Sequence, residues 1–530
     1  MLLVLIAATV VTLGLLVNGN IRYQVGVGRV SGYSVAETFS HRPIVFRLAS
    51  AAQAWLPERA SELIAPQGDW WRVWTFEVGF RLVAALLAAG AAVLLWRGLR
   101  TRWGSAAWPY AVAAYAALVF TAPATGEPDW MAALLAVAGV GAALLAGPIV
   151  GGLAGGALFA LAALVKISSL PIALAALLLL WTIDRRRGWI AAVASTVGGL
   201  LAVALIWLLA PYEIDWLLQI RALQPDPWTR AHAVEAGHYL MNLAARWPTV
   251  ALVPAFFVGV RRREAWPALA ALALTAFAFA YQGQYFVYHS IGFVVLSALL
   301  AVRTIDRSRA ALRWPLLAWS AWTLVLFCQP ARLRVDHPSR LYLLTGAVVL
   351  AFAGWQWIAL RRRPTLTRAR TQLWAAALVT LAMLATQTPW SAESLNLGTA
   401  GRTAAASEAA LRREVANAER IHAVIGAGTQ VAYLTFGSAT YVLGNPTRCR
   451  YPSALFLQRG GAAQKVSQQV RAENLACLTD PQARWLVWNR HWLHRKAAPD
   501  DLLATIDAYW NCAGAAVIGG YTLCPRRTSG

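Results

Sequence analysis

The chain has 530 residues, of which 58% are hydrophobic and only 13% are charged. Soluble domains carry roughly 25% charged residues, so the composition excludes an ordinary soluble protein and indicates a membrane protein. A formal net charge of +23 would suggest a nucleic-acid partner in a soluble chain, but here the arginines sit in short clusters between apolar runs. That is the topogenic pattern of a multi-span membrane protein and argues against nucleic acid.

Taken in chain order, the N-terminal stretch "MLLVLIAATVVTLGLLVNGN" has neither a basic leader nor a small-residue cleavage site, and reads as a first span rather than a signal peptide. It is short for a crossing, so the true start could lie upstream. Apolar runs follow near 78–96, 107–122, 130–146, 149–165, 168–183, 189–210, 248–260, 266–281, 285–302, 314–328, 341–360 and 373–388. With the first at 2–17 they predict about thirteen transmembrane helices. The arginine clusters at 97–102, 184–188, 261–264, 303–309 and 361–370 all fall on one side when the spans alternate. The positive-inside rule makes that side cytoplasmic. The N-terminus is then cytoplasmic, and the loops 18–77, 211–247 and 329–340 and the tail 389–530 are extracytoplasmic, as expected of a multi-pass plasma-membrane protein.

The chain thus divides into a membrane module, 1–388, and a separate outer domain, 389–530. In the tail, helical periodicity at 407–425, 462–476 and 498–510 alternates with strand-like segments at 430–436, 483–489 and 515–524. This predicts a small α/β domain. Four of the five cysteines lie there, and an oxidising exterior suggests two disulfides. Three pairings are open; the nearest-neighbour one, Cys449–Cys477 and Cys512–Cys524, is favoured over the others and over free buried thiols.

Several polar residues map to the outer face. Glu37, with His41 and Arg42 in "AETFSHRPIVFR", is either a solvated acid paired with Arg42 or Arg47 or a general base aimed at an acceptor hydroxyl. Lys166 is the only lysine of the membrane module; it either snorkels to headgroups or meets an anionic ligand such as a lipid phosphate. The segment "YQGQYFVYHS" puts Gln282, Gln284, Tyr288 and His289 at one outward turn, as an aromatic belt or as a polar rim for sugar or phosphate. Arg332, Arg334 and Arg340 break the arginine bias and need counter-charge, from an anionic ligand such as phosphate, from lipid headgroups or from Asp336. Glu127 and Asp129, at the start of a span, are helix caps or a second acid near Glu37. Tyr441, Arg448 and Tyr451 are fold residues or glycan contacts.

With an acid in a long first outer loop (Glu37), a lone lysine after an apolar helix ("ALVKISSLP"), a glutamine-to-histidine segment opening a later span ("QGQYFVYH") and an outer α/β domain, the chain resembles the GT-C superfamily of integral-membrane glycosyltransferases. The resemblance implies inverting transfer of a hexose or pentose from a polyprenyl-phosphate donor to a cell-envelope glycan or lipid acceptor. It implies Glu37 as base, and Lys166, His289 and an outer arginine on the donor phosphate. Some members use a divalent metal; the sequence offers no convincing ligand set, so metal independence is expected. The competing reading is a transporter or flippase of an anionic lipid or solute, which would place paired charges at mid-membrane.

Overall fold

In the computed structural model, which describes residues 2–14, 21–39, 41–65, 69–121, 124–222, 229–258, 260–283, 285–308, 311–328, 336, 338–361, 367–385, 403–452, 458 and 465–527, each of the thirteen apolar runs overlaps a helix. Their lengths differ from the expectation. Among the described residues six helices are long and apolar enough to cross a membrane: Asp69–Val119, Pro128–Leu145, Pro148–Val165, Arg185–Leu209, Val287–Arg307 and Leu343–Arg361. A seventh would be Ala233–Arg246 with Pro248–Phe257, a pair bent by 108°.

Among the described residues the count of about thirteen is therefore not confirmed. The runs 78–96 and 107–122 fall within one helical stretch. Of the helices at 2–14 and 313–328, 13 and 16 residues are described, against the ~20 that span a bilayer. The run 248–260 is broken at its start, where Trp247 is extended ahead of Pro248, the conformation a following proline favours.

The chain forms two compact units. One comprises Met1–Asn18, Arg81–Val203 and Asp226–Ser407; the other comprises Gly19–Phe80, Ala204–Pro225 and Glu408–Gly530. The division differs from a single boundary at 388. In the first unit, helices Pro128–Leu145 and Pro148–Val165 approach closely through small residues: a Cβ on Gly155 would fall 2.8 Å from the Gly139 carbonyl oxygen. Such contacts replace the hydrophobic drive that lipid cannot supply.

In the second unit the tail shares a core with the first outer loop. Phe39 is 1% exposed and packs edge-on against Trp216 and beside Tyr451. The Phe39 N–H donates to the Arg450 carbonyl at 2.8 Å, and the Thr447 N–H to that of Val30 at 2.8 Å. Burying those apolar and backbone groups together makes 19–80 part of the tail's unit.

The tail itself carries a four-stranded sheet: β1 (Val431–Leu434), β2 (Trp485–Asn489), β3 (Ala516–Ile518) and β4 (Tyr521–Pro525), in the order β1-β2-β4-β3. β1 and β2 are parallel; the other pairings are antiparallel. The segment 515–524, expected as one strand, is a hairpin. Gly519 and Gly520 both take positive φ, 59° and 88°, the signature of a two-residue hairpin turn. Helices Gln468–Thr479 and Asp500–Tyr509 supply Leu478, Leu502 and Ile506 to a core with Leu434, Leu486 and Trp488. Both favoured disulfides are formed, with Cα separations of 5.1 Å for Cys449–Cys477 and 4.6 Å for Cys512–Cys524.

Candidate active site

The helical unit gathers a polar cluster from four places in the sequence. Helix Pro148–Val165 ends at Lys166, whose extended backbone (φ −163°, ψ 128°) turns the chain into the short 3-10 segment Ile167–Ser169. Asp129 occupies the first turn of Pro128–Leu145, one residue after a proline well suited to a helix start. Gln282 follows helix Arg262–Ala280, and His289 lies in the turn Val287–Ser290 that opens the next helix.

These elements place Lys166 Nζ 3.0 Å from Asp129 Oδ2, with the aspartate side chain fully buried and that of the lysine 13% exposed. Ser169 Oγ donates to Asp129 Oδ1 at 2.6 Å. His289 Nδ1 is 2.8 Å from Asp129 Oδ2 and 3.2 Å from Lys166 Nζ. An ionised carboxylate only accepts and an ammonium only donates. A proton on Nδ1 therefore serves the aspartate, and the carboxylate selects that tautomer. Lys166 also donates to Gln282 Oε1, while Gln282 Nε2 donates to the Ala278 carbonyl at 2.7 Å, fixing the amide's orientation. Tyr288 stands edge-on to the His289 ring at 4.3 Å. The arrangement is a lysine aimed by a buried acid and an amide.

In the second unit, Glu37 sits in a turn and accepts from Ser34 Oγ at 2.6 Å and from the Ser34 N–H at 3.3 Å. Those two hydrogen bonds to the charged form, with a smaller contribution from Arg450, hold its pKa below the ordinary 4.5, so it stays a carboxylate. Arg47 is not its partner. Its guanidinium pairs with buried Glu213 at 2.9 Å and donates to the carbonyls of Ala36 and Arg42 at 2.6 Å. Arg47 thus clamps the backbone around Glu37 and leaves the carboxylate to Ser34. Glu213 also accepts the Ile44 N–H at 2.7 Å, at the first turn of helix Ile44–Ile64. His41 has a positive φ of 54°, unusual for a non-glycine residue, and stands against Tyr23 and Phe436.

A cavity of about 250 Å³ with a mixed polar and apolar lining adjoins this loop, with Val35, Thr38, Arg29, Ser50 and Glu58 among its walls. Burial, the larger influence, pushes the Glu58 pKa up against the opposing effect of Arg29.

The sequence-predicted residues sort as follows. Lys166, Gln282 and His289 come together. Asp129, expected as a cap or as a second acid beside Glu37, instead pairs with the Lys166 ammonium and accepts from His289 Nδ1. Glu127 is buried one residue before helix Pro128–Leu145, and its carbonyl accepts the Met131 N–H at 3.0 Å. Arg42 is buried. Arg340 is exposed in the first turn of Pro338–Arg361 and takes no part in the Asp129 network. Gln284, Arg332 and Arg334 lie outside the described residues. Tyr441 and Tyr451 are buried as fold residues. Sequence reasoning missed Ser169, Glu213 and the buried Arg22–Glu77 pair at 2.9 Å. Among the described residues, no three His, Cys, Asp or Glu side chains gather to hold a metal ion.

By sequence the chain matches no protein-family model and no curated protein. By structure it is similar to ArnT from Cupriavidus metallidurans. The apo crystal structure superposes with a TM-score of 0.58 at 14% identity, covering 99% of this chain and 96% of that one. The structure of the same enzyme bound to undecaprenyl phosphate gives 0.55 at 15% identity, covering 100% and 97%. The fold is thus that of ArnT over nearly the whole chain.

Proposed function

We propose that the chain is an inverting membrane glycosyltransferase that moves a sugar from a polyprenyl-phosphate donor to a cell-envelope glycan or lipid acceptor. The observation that carries this reading is the whole-chain likeness to ArnT, a protein seen with undecaprenyl phosphate bound. The disulfide-bonded tail fits an extracytoplasmic domain, and the arginine clusters then face the cytoplasm.

In this reading the acceptor hydroxyl attacks the anomeric carbon of the donor sugar opposite the phosphate. Glu37 removes the hydroxyl proton. The anomeric C–O bond breaks, its electron pair leaves with the polyprenyl phosphate, and the anomeric configuration inverts. A carboxylate held ionised by Ser34 suits the base role. The leaving phosphate gains charge as the bond breaks, and a fixed cation stabilises it without reorganisation. Lys166, oriented by Asp129 and Gln282, supplies that cation, with His289 beside it. Transfer needs no metal in this scheme.

The test uses the purified chain in lipid nanodiscs with a panel of polyprenyl-phosphate hexoses and pentoses and a cell-envelope glycan acceptor. The reading predicts glycosylated acceptor plus free polyprenyl phosphate, unaffected by a chelator. Donor carried across a proteoliposome membrane unchanged, with no transfer, would establish the transporter instead.

A further inference from the structure

The helical unit contains a second, larger cavity of about 1050 Å³. None of Asp129, Lys166, Gln282 and His289 lines it. Its walls are helices Pro128–Leu145, Leu170–Ile183, Arg262–Ala280 and Ile291–Arg307, together with the end of Asp69–Trp103. The interior is hydrocarbon: Ala133, Val140, Ile172, Val295 and Leu296 face it. The Thr275 hydroxyl in the wall is spent on the Ala271 carbonyl, 2.9 Å away. From Gly292 to Arg303 along one wall helix, and from Ile172 to Ile183 along another, the lining runs about 16 Å at ~1.5 Å per residue.

One end differs sharply. Arg102, Arg185, Arg263 and Arg303 ring it, against the acids Glu264 and Asp306. Two of these cations are matched: Arg303 pairs with Glu264 at 3.2 Å, and Arg102 with Asp184. Arg185 lies over the Trp181 ring at 5.2 Å. Arg185 and Arg263 have no carboxylate within ion-pair distance among the described residues. Both sit in the first turns of their helices, Arg185–Leu209 and Arg262–Ala280, where the backbone dipole adds positive potential.

An apolar slot about 16 Å deep, opening beneath two guanidinium groups with no ion-pair partner among the described residues and a mouth where arginines outnumber acids, matches an anionic lipid: tail inside, phosphate at the mouth. Basic pockets between transmembrane helices take such headgroups, and arginine offers phosphate a two-pronged hydrogen bond. We propose that this cavity is a seat for one anionic phospholipid, drawn from the leaflet on the arginine-rich side and separate from the donor site. Arg185 and Arg263 hold its phosphate, and one acyl chain fills the space between the four helices. The seat exists whether or not the chain transfers sugar.

The experiment is native mass spectrometry of the delipidated full chain in detergent, titrated with phosphatidylglycerol, phosphatidylcholine or inorganic phosphate. One phosphatidylglycerol should bind at least tenfold tighter than phosphatidylcholine, and phosphate alone should not compete. Arg185→Gln combined with Arg263→Gln should erase that preference. Val295→Trp, which fills the slot, should lower occupancy by either lipid. Equal binding of the two lipids by the unmodified chain would overturn the proposal, and that comparison needs no variant to fold. Displacement by millimolar phosphate, or an unaltered preference in the folded double variant, would overturn it too.

Discussion

The Asp129 carboxylate, fully buried, lies 3.0 Å from the Lys166 ammonium, although 37 residues separate them in the chain. Removing one member of a buried pair strands the other charge and costs about 3–5 kcal/mol, whereas removing both costs much less. Asp129→Ala should therefore lower the melting temperature in detergent strongly, and adding Lys166→Met should recover much of the loss. A double variant as unstable as the sum of the singles would mean the two charges are not coupled.

Glu37 gives a pH prediction with a definite sign. Its folded pKa lies below the ordinary value because Ser34 hydrogen-bonds the charged form. The base stays competent above the usual carboxylate range and is lost only as pH falls through the depressed value. The acid limb of the rate profile should sit below pH 4.5. Ser34→Ala should move it up toward that value with little change at neutral pH. A limb that ignores Ser34→Ala would dissociate the profile from Glu37.

Glu213 holds the loop around Glu37. Its side chain is 1% exposed and that of Arg47 is 3% exposed. Glu213→Gln leaves Arg47 uncompensated, for an expected loss of about 3–5 kcal/mol. Limited proteolysis should then cut within 34–47 sooner than in the unmodified chain, and equal cutting rates would show that the clamp is dispensable.

The tail disulfides close loops of different length, with sequence separations of 28 for Cys449–Cys477 and 12 for Cys512–Cys524. Loop-closure entropy favours the longer by somewhat under 1 kcal/mol, about 3.6 against 2.8 kcal/mol. Paired serine substitutions at 449 and 477 should lower the denaturant midpoint more than those at 512 and 524. The reverse order would mean that packing around the pairs outweighs chain entropy.

Much of this was legible in the sequence, because apolar runs, arginine clusters and nearest-neighbour cysteines are local signals. The helices stand where the runs predicted, and both disulfides formed. Lys166 was conspicuous because a lysine in apolar sequence is costly, and the segment 282–289 because glutamine and histidine sit poorly in an aromatic belt. The partnership of Asp129 with Lys166 and His289 was not legible: it spans 37 and 160 residues, and a carboxylate beside a proline at a helix start looks like a cap. The same holds for Arg47 with Glu213, where the nearer acid, Glu37, was the natural guess. The hairpin at 516–525 was missed because two glycines inside an apolar run were read as part of one strand, although their positive φ makes the turn.

The central claim is the division of labour between Glu37 and Lys166, and it is tested by measuring donor binding and sugar transfer on the same preparations of the unmodified chain, Glu37→Gln and Lys166→Met. The account predicts that Glu37→Gln binds polyprenyl-phosphate sugar normally but transfers it about 10²–10⁴-fold more slowly, while Lys166→Met loses donor affinity. Glu37→Gln transferring at the unmodified rate, or Lys166→Met binding donor undiminished, would contradict it.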